Sequence, residues 1–127
     1  TGLGKQFIIF NHDALEMYRS VYICEGALNA LTIGDRGIAT MGKVVSKYQL
    51  NELIKAPCQR YIILLDFDAQ KYAIELALKL IQYKKVKLVL FEDNRDVNDL
   101  GRKAVLKKVY ETRYATYQGL IKLKNSL

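Results

Sequence analysis

Residues 21–31 read Val-Tyr-Ile-Cys-Glu-Gly-Ala-Leu-Asn-Ala-Leu, and the rest of the architecture is built around this segment. Residues with strong strand preference run directly into Glu25 and Gly26, and a helix-forming Ala/Leu segment follows. The pattern predicts a strand, a tight turn and a helix, with Glu25 at the carboxyl end of the strand. In open α/β sheets, functional groups lie at the carboxyl ends of the strands.

A second apolar run also ends in acidic residues. Residues 61–65 read Tyr-Ile-Ile-Leu-Leu and are followed directly by Asp66, Phe67 and Asp68. In an extended chain, side chains two positions apart point the same way, so Asp66 and Asp68 can face one ion together. The two predicted strand ends therefore offer three carboxylates.

The order of the predicted elements indicates the fold class. From residue 21 onward, apolar strands and helices alternate as β-α-β-α-β-α-β. This predicts an α/β fold, a mostly parallel four-stranded sheet flanked by helices on both faces and Rossmann-like in character. Right-handed crossovers bring the carboxyl ends of the strands to one edge, where Glu25, Asp66, Asp68 and the loop containing Asp96 should converge.

The predicted organisation has three parts. Residues 1–19 read as the end of a preceding segment, with a strand at 6–10 and a short helix. Residues 20–101 form the α/β domain, with a capping box at Ser46 and Gln49 that begins the third helix. Residues 102–127 form a basic helical extension, predicted to be helical from Gly101 onward with a weak point at Gly119.

The clustered acids suggest a metal site. Carboxylates gathered at one place repel one another unless a cation offsets them. Oxygen ligands without His or Cys favour Mg²⁺ or Mn²⁺, which also bind phosphate oxygens, and this chemistry is typical of phosphoryl transfer. Acids at strand ends are also ordinary turn formers and helix caps, and the spacing alone leaves both interpretations open.

Composition bounds the class of protein. The chain has 127 residues, 50% of them hydrophobic and 26% charged, which is typical of one globular domain. It has no apolar run of membrane-spanning length and no signal-like beginning, so we expect a cytoplasmic protein without a membrane partner.

The formal charge of +7 is unevenly distributed. Residues 101–127 hold seven basic residues and one acidic residue, which accounts for +6 of it. A basic extension beside a nearly neutral core suggests contact with a polyanion, although a solvated lysine-rich helix would read the same way. The residues expected to contact nucleic acid or nucleotide are Arg95, Arg102, Lys103, Lys107 and Lys108.

Three tyrosines lie at i, i+4 and i+7 of the predicted helix, namely Tyr110, Tyr114 and Tyr117. They would either stack on nucleic-acid bases or pack against the protein.

At these residues the chain resembles the Toprim domain, which is shared by DNA primases, type IA and type II topoisomerases, some nucleases and recombination proteins. The resemblance rests on Glu25-Gly26, on Asp66-Phe67-Asp68, and on residues 95–100, Arg-Asp-Val-Asn-Asp-Leu. Within the family, the chain is most similar to primases of phages, mobile elements and bacteria.

The resemblance implies roles for individual residues. Glu25 would be the catalytic acid/base or a metal ligand, Asp66 and Asp68 would be metal ligands, and Asp96 would be a further acid near the metal. Two departures from the family pattern stand out. Asn29 replaces a second acid one helical turn after Glu25, and Gln70 replaces a glycine after the Asp-x-Asp motif.

The resemblance also implies a function. We expect the catalytic domain of a DNA primase, which uses Mg²⁺ or Mn²⁺ to join ribonucleoside triphosphates on a single-stranded DNA template, in a bacterial or phage-infected cell. A replicative helicase is an expected partner, and this stretch alone would be incomplete for activity. The alternatives are a Toprim nuclease that cuts phosphodiesters and a non-catalytic nucleic-acid-binding module.

Overall fold

A computed structural model of the protein describes Gly4 and residues 7–127. Its described residues form a four-stranded sheet in the order β2-β1-β3-β4, with every neighbouring pair parallel. The strands are β1 (Ser20–Cys24), β2 (Gly37–Ala39), β3 (Arg60–Leu64) and β4 (Lys85–Leu88). The predicted α/β fold with a parallel four-stranded sheet is therefore confirmed.

Helices connect and cover the strands. They are α1 (Ala14–Met17), α2 (Ala27–Ile33), α3 (Lys47–Lys55), α4 (Gln70–Leu80), α5 (Val97–Leu100), α6 (Arg102–Glu111) and α7 (Tyr117–Asn125). A 3₁₀ turn, Phe67–Ala69, leads into α4. The predicted capping box of α3 is present, since the Ser46 side chain accepts from the Gln49 amide and the Gln49 side chain accepts from the Ser46 amide.

The first predicted strand is not found among the described residues. Phe10 forms only an isolated antiparallel bridge with Ala39, while Gln6 lies outside the described part of the chain. Ile9 is buried and Phe10 contacts the edge strand β2, whereas Phe7 and Ile8 remain exposed.

Both faces of the sheet are buried. Alternate residues of β3 point to opposite faces, so Tyr61 and Ile63 belong to one apolar cluster while Ile62 and Leu64 belong to the other. The first cluster takes in residues of α1, α3, α4 and α7, and the second takes in residues of α2, α5 and α6. This two-sided burial explains why the strands read as continuous apolar runs.

The basic extension consists of two helices, one on each face. The prediction of a helix continuing from Gly101 is wrong, because residues 112–116 are not helical. The Ala115 amide there donates to the Val86 carbonyl of β4 at 2.7 Å, and the Thr116 side chain caps α7 by accepting from the Gly119 amide. Gly119 therefore lies within the first turn of α7 rather than in the middle of a longer helix.

The break also separates the three tyrosines. Tyr110 lies on α6 and is 87% exposed, Tyr114 lies in the connection, and Tyr117 begins α7. The Tyr114 ring is contacted by the ammonium groups of Lys85 and Lys87, at 5.5 and 5.0 Å from its centroid. The predicted stripe along one helix face is therefore wrong. Among the residues described, no helix combines the length and apolarity needed to cross a lipid bilayer.

Leu120→Ala tests whether α7 is part of the core. Leu120 is 3% exposed within the first apolar cluster, so its truncation should lower the free energy of unfolding by about 2–5 kcal/mol. Urea denaturation measures the loss. Leu127→Ala, which alters a 65% exposed side chain, should change stability by less than about 0.5 kcal/mol. Equal stability of both variants would show that α7 packs only loosely.

Candidate metal centre

Three carboxylates meet where two neighbouring strands end. Cys24 of β1 and Leu64 of β3 are paired in register, so the residues that follow them leave the sheet side by side. One oxygen each of Glu25, Asp66 and Asp68 lies within 4.8 Å of the others. The topology predicted this convergence, and the structure brings these three groups together. Their roles as ligands stay a prediction.

Asp96 lines the same cleft as Glu25 and Asp66 but has a structural partner of its own. Its carboxylate accepts from the Asp99 amide at 2.8 Å, and the Asp99 carboxylate accepts from the Asp96 amide at 3.0 Å. This reciprocal pair begins α5 as a capping box. The Asp-x-x-Asp spacing signalled the cap, which the sequence analysis did not identify.

Asn29 connects Asp66 to α5. Its side chain is 6% exposed, donates to Asp66 Oδ1 at 3.4 Å and accepts from the Asn98 amide at 3.2 Å. An amide at this position orients Asp66 without adding another negative charge to the cluster. The departure from the family pattern thus has a structural role here.

Lys43 was missed by sequence reasoning. It lies in the loop after β2, and its ammonium is 3.3 Å from Asp68 Oδ2. The loop is held at the same edge by the Met41 amide, which donates to the Glu25 carbonyl at 2.8 Å. Met41 has a φ of 66°, a left-handed conformation that is uncommon outside glycine. The available signal was a lysine two residues after a predicted strand that ends at the acidic edge.

Glu25 is held in an environment that disfavours its negative charge. Burial, and then the nearby charges of Asp66 and Asp68, raise the pKa of the Glu25 carboxyl, while Lys43 acts in the opposite direction. Its Oε1 is buried without a hydrogen-bond partner among the described residues. A buried acceptor without a hydrogen-bond partner lowers the stability of the fold, and a bound cation would interact with this oxygen in place of a donor.

The pKa of Asp66 is also raised. Burial contributes most, and the charges of Asp96, Asp68 and Asp99 add to it, again opposed by Lys43. The neighbouring Cys24 thiol is buried, and burial with the Asp66 charge raises its pKa to about 12, so it is not a nucleophile. The donor set of the cluster is oxygen only, and together with the orphaned Glu25 oxygen it fits a hard divalent cation.

The predicted basic contacts are dispersed. Arg95 forms a two-point ion pair with Asp93 of its own loop, with Nη2 2.9 Å from Oδ2, and this pairing raises the pKa of the Arg95 guanidinium. Lys108 lies 4.0 Å from Glu92, whereas Arg102 lies beside Gly34 at the far end of α2 from the cluster. Lys103 and Lys107 are exposed on α6. None of these five lines the acidic cleft.

The other departure noted in the sequence, Gln70, anchors the segment after β4. Its side-chain amide donates to the Phe91 carbonyl at 3.0 Å. Gln70 therefore connects the first turn of α4 to the segment that leads into the acid-rich loop at residues 92–99.

The chain was compared with protein-family models, with curated proteins and with solved structures. Neither a family model nor a curated protein matches the chain. Solved structures do match it. The catalytic core of DnaG has a TM-score of 0.75 at 16% identity, with 98% of this chain and 44% of that chain covered. A structure of the DnaG primase catalytic domain bound to single-stranded DNA has a TM-score of 0.73 at 17% identity, with the same two coverages.

The primase of Aquifex aeolicus, solved with its zinc-binding and RNA polymerase domains, has a TM-score of 0.70 at 19% identity, with 89% of this chain and 32% of that chain covered. The chain thus spans between about a third and just under half of the length of these structures. The chain has an α/β fold with an acidic strand edge, and that fold is found in primase catalytic cores. The resemblance to primases is supported at the level of the fold, and nothing points to a phage source.

Lys43→Met tests the electrostatic balance of the cluster. The ammonium competes with a metal ion for Asp68, so its removal should tighten Mn²⁺ binding by up to about fivefold, the range of an exposed ion pair. Calorimetric titration measures the affinity, with the exposed Lys47→Met as the charge-matched control. Asp66→Asn combined with Asp68→Asn should abolish binding. Unchanged Mn²⁺ affinity in that double variant would show that the ion binds elsewhere.

Glu25→Gln tests the raised pKa through pH dependence. The folded state holds the Glu25 proton more tightly than the unfolded chain, whose Glu pKa is about 4.3. In metal-free buffer, wild type should therefore lose stability relative to the variant as pH rises through the raised pKa, and the loss should persist at neutral pH. At pH values below the unfolded pKa, the carboxyl is protonated in both states, so this stability difference between wild type and the variant should vanish. Urea unfolding across a pH series measures it, with Glu111→Gln as the exposed control, and parallel curves for Glu25→Gln and wild type would contradict it.

Proposed function

We propose that this chain forms the metal-dependent catalytic domain of a DNA primase, which synthesises RNA primers on single-stranded DNA during replication. The observation that carries the proposal is the cluster of Glu25, Asp66 and Asp68 at the carboxyl edge of a sheet whose fold is that of primase catalytic cores. The fold alone supports many functions, so the position and chemistry of the cluster carry the argument.

Asp66 and Asp68 would hold Mg²⁺ or Mn²⁺ from one strand end, and Glu25 would face it from the other. When bound, the ion would neutralise charge on the phosphates of a ribonucleoside triphosphate. Asn29 holds Asp66 in one orientation through their hydrogen bond. Asp96 would be a further acid near the metal, and its carboxylate is held by the cap of α5.

Glu25 has the properties of a proton acceptor for the attacking hydroxyl. It faces Asp66 and Asp68 from a different strand end, and its buried Oε1 has no hydrogen-bond partner among the described residues, so this carboxylate is placed to accept a proton or to bind the ion. The proton of the attacking hydroxyl would pass to this carboxylate as the hydroxyl oxygen attacks the α-phosphorus of the triphosphate, and the bond to the β-phosphate would break to release pyrophosphate.

The nucleic-acid partner fits the charge of the chain. One of the similar structures is a primase domain bound to single-stranded DNA. In this chain, Arg95, Arg102, Lys103, Lys107 and Lys108 would contribute sequence-independent attraction to nucleic acid or nucleotide. A replicative helicase is the expected protein partner, and the cytoplasm of a bacterial or phage-infected cell is the expected location.

Glu25→Gln in the natural polypeptide that carries residues 1–127 tests the function. With Mg²⁺, ribonucleoside triphosphates and single-stranded DNA, wild type should make short RNA, and the variant should be about a hundredfold or more slower because a general base is lost. Denaturing gels of labelled products measure both, with Glu111→Gln as control. Shortened DNA in place of new RNA would identify a nuclease. Priming at the wild-type rate in Glu25→Gln would refute the role of this residue.

A further inference from the structure

A second polar recess lies at the opposite end of α2 from the metal centre. Gly26, at the start of α2, borders the acidic cleft, whereas Ile33, at its end, lines this recess. Its charged lining consists of Arg36 and Arg102 together with Asp35. The remaining lining residues are Tyr18, Tyr22, Ile33 and Leu106.

Arg36 is carried by a turn that is fixed from several sides. The Gly37 amide donates to the Gly34 carbonyl at 2.9 Å, and the Tyr22 amide of β1 donates to the Arg36 carbonyl at 2.9 Å. The Asn11 side chain donates to the carbonyls of Asp35 and Gly37 at 3.0 and 2.9 Å. A ligand at this position would therefore meet a backbone that is already ordered.

The Arg36 side chain is also directed by packing. Its guanidinium carbon lies 4.8 Å from the centroid of the Tyr18 ring, a cation–π distance. This contact orients the guanidinium and leaves its N–H groups available at the edge of the ring.

Arg102 approaches the same turn from α6. It is the first residue of α6, and its guanidinium carbon lies 3.8 Å from where a Cβ on Gly34 would stand. Gly34 has a φ of +107°, a conformation that side-chain-bearing residues rarely adopt, and a Cβ there would make only ordinary van der Waals contact with Arg102, so the turn rather than the arginine requires the glycine. Arg36 and Arg102 thus reach one recess from two different elements.

In the described part of the chain, neither guanidinium forms an ion pair with a carboxylate. The ion pairs found among the described residues do not involve Arg36 or Arg102, and Asp35 is not paired with either of them. The lining therefore sets two guanidinium groups against one carboxylate, and an anion between the arginines would be stabilised. The planar guanidinium matches the geometry of phosphate oxygens.

We propose that this recess binds the phosphodiester backbone of single-stranded nucleic acid, with one phosphate between Arg36 and Arg102. The paired guanidiniums favour a phosphate over the carboxylates of an acidic peptide, because two planar donor groups from different elements can contact one phosphate from two sides. The site deepens the proposed function by giving the strand a place away from the metal centre. It rests on that function only for the choice of ligand, and its binding requires no metal.

Fluorescence anisotropy of a labelled oligo-dT strand, measured in EDTA across a salt series, tests the site. Arg36→Gln combined with Arg102→Gln should weaken binding about tenfold or more, because charge-assisted hydrogen bonds to phosphate are lost. The slope of the logarithm of affinity against the logarithm of salt concentration should also become shallower, by about the amount that one phosphate contact contributes. Lys47→Gln combined with Lys71→Gln, on exposed residues of α3 and α4, makes the same charge change outside the recess and should have a small effect.

Other results of these measurements would overturn either the site or the choice of ligand. Unchanged affinity in the arginine variant, or an equal loss in the lysine control, would overturn the site. Arg36→Lys combined with Arg102→Lys retains the charge and should bind with intermediate affinity, which excludes a folding defect as the cause. A poly-glutamate peptide that binds the recess more tightly than DNA would overturn the choice of ligand. The affinity is measured in EDTA, where no divalent ion can bind, so failure of the primase proposal would leave this result untouched.

Discussion

The in-register parallel pairing of β1 with β3 determines the position of every functional group at the acidic edge. Because Cys24 and Leu64 are paired neighbours, Glu25 and Asp66 leave the sheet at adjacent points. A shift of one residue would turn the apolar side chains of one strand to the wrong face, so the two buried clusters lock this register. The core therefore holds together carboxylates that would otherwise separate.

That constraint has an electrostatic cost. Burial and mutual repulsion raise the pKa values of Glu25 and Asp66, which means that folding works against their charges at neutral pH. Lys43 offsets part of this repulsion from an exposed position, where a salt bridge contributes little. A site that stores repulsion in this way is arranged for a cation rather than for stability, and perturbed carboxylates of this kind concentrate at functional sites.

The sequence was sufficient for the sheet and for the convergence of Glu25, Asp66 and Asp68, because both follow from local strand signals and the handedness of crossovers. It was insufficient where contacts between residues far apart in the sequence determine the local structure. The helix break at residues 112–116 contains neither Gly nor Pro and exists because the Ala115 amide bonds to Val86 of β4. Lys43 reaches Asp68 only because the loop after β2 turns back through the left-handed backbone of Met41. The role of Asp96 as a cap was readable in its Asp-x-x-Asp spacing with Asp99.

The position of the last two helices affects how the chain folds during synthesis. Val105 of α6 and Leu120 of α7 are buried on opposite faces of the sheet. A ribosome releases β1, β2, β3 and β4 before either helix, so each newly paired strand exposes apolar side chains until the final helices emerge. Parallel sheets already fold slowly because their contacts are distant in sequence. The acidic edge therefore takes its final form only after α6 and α7 have emerged, and the nascent chain depends until then on protection from aggregation.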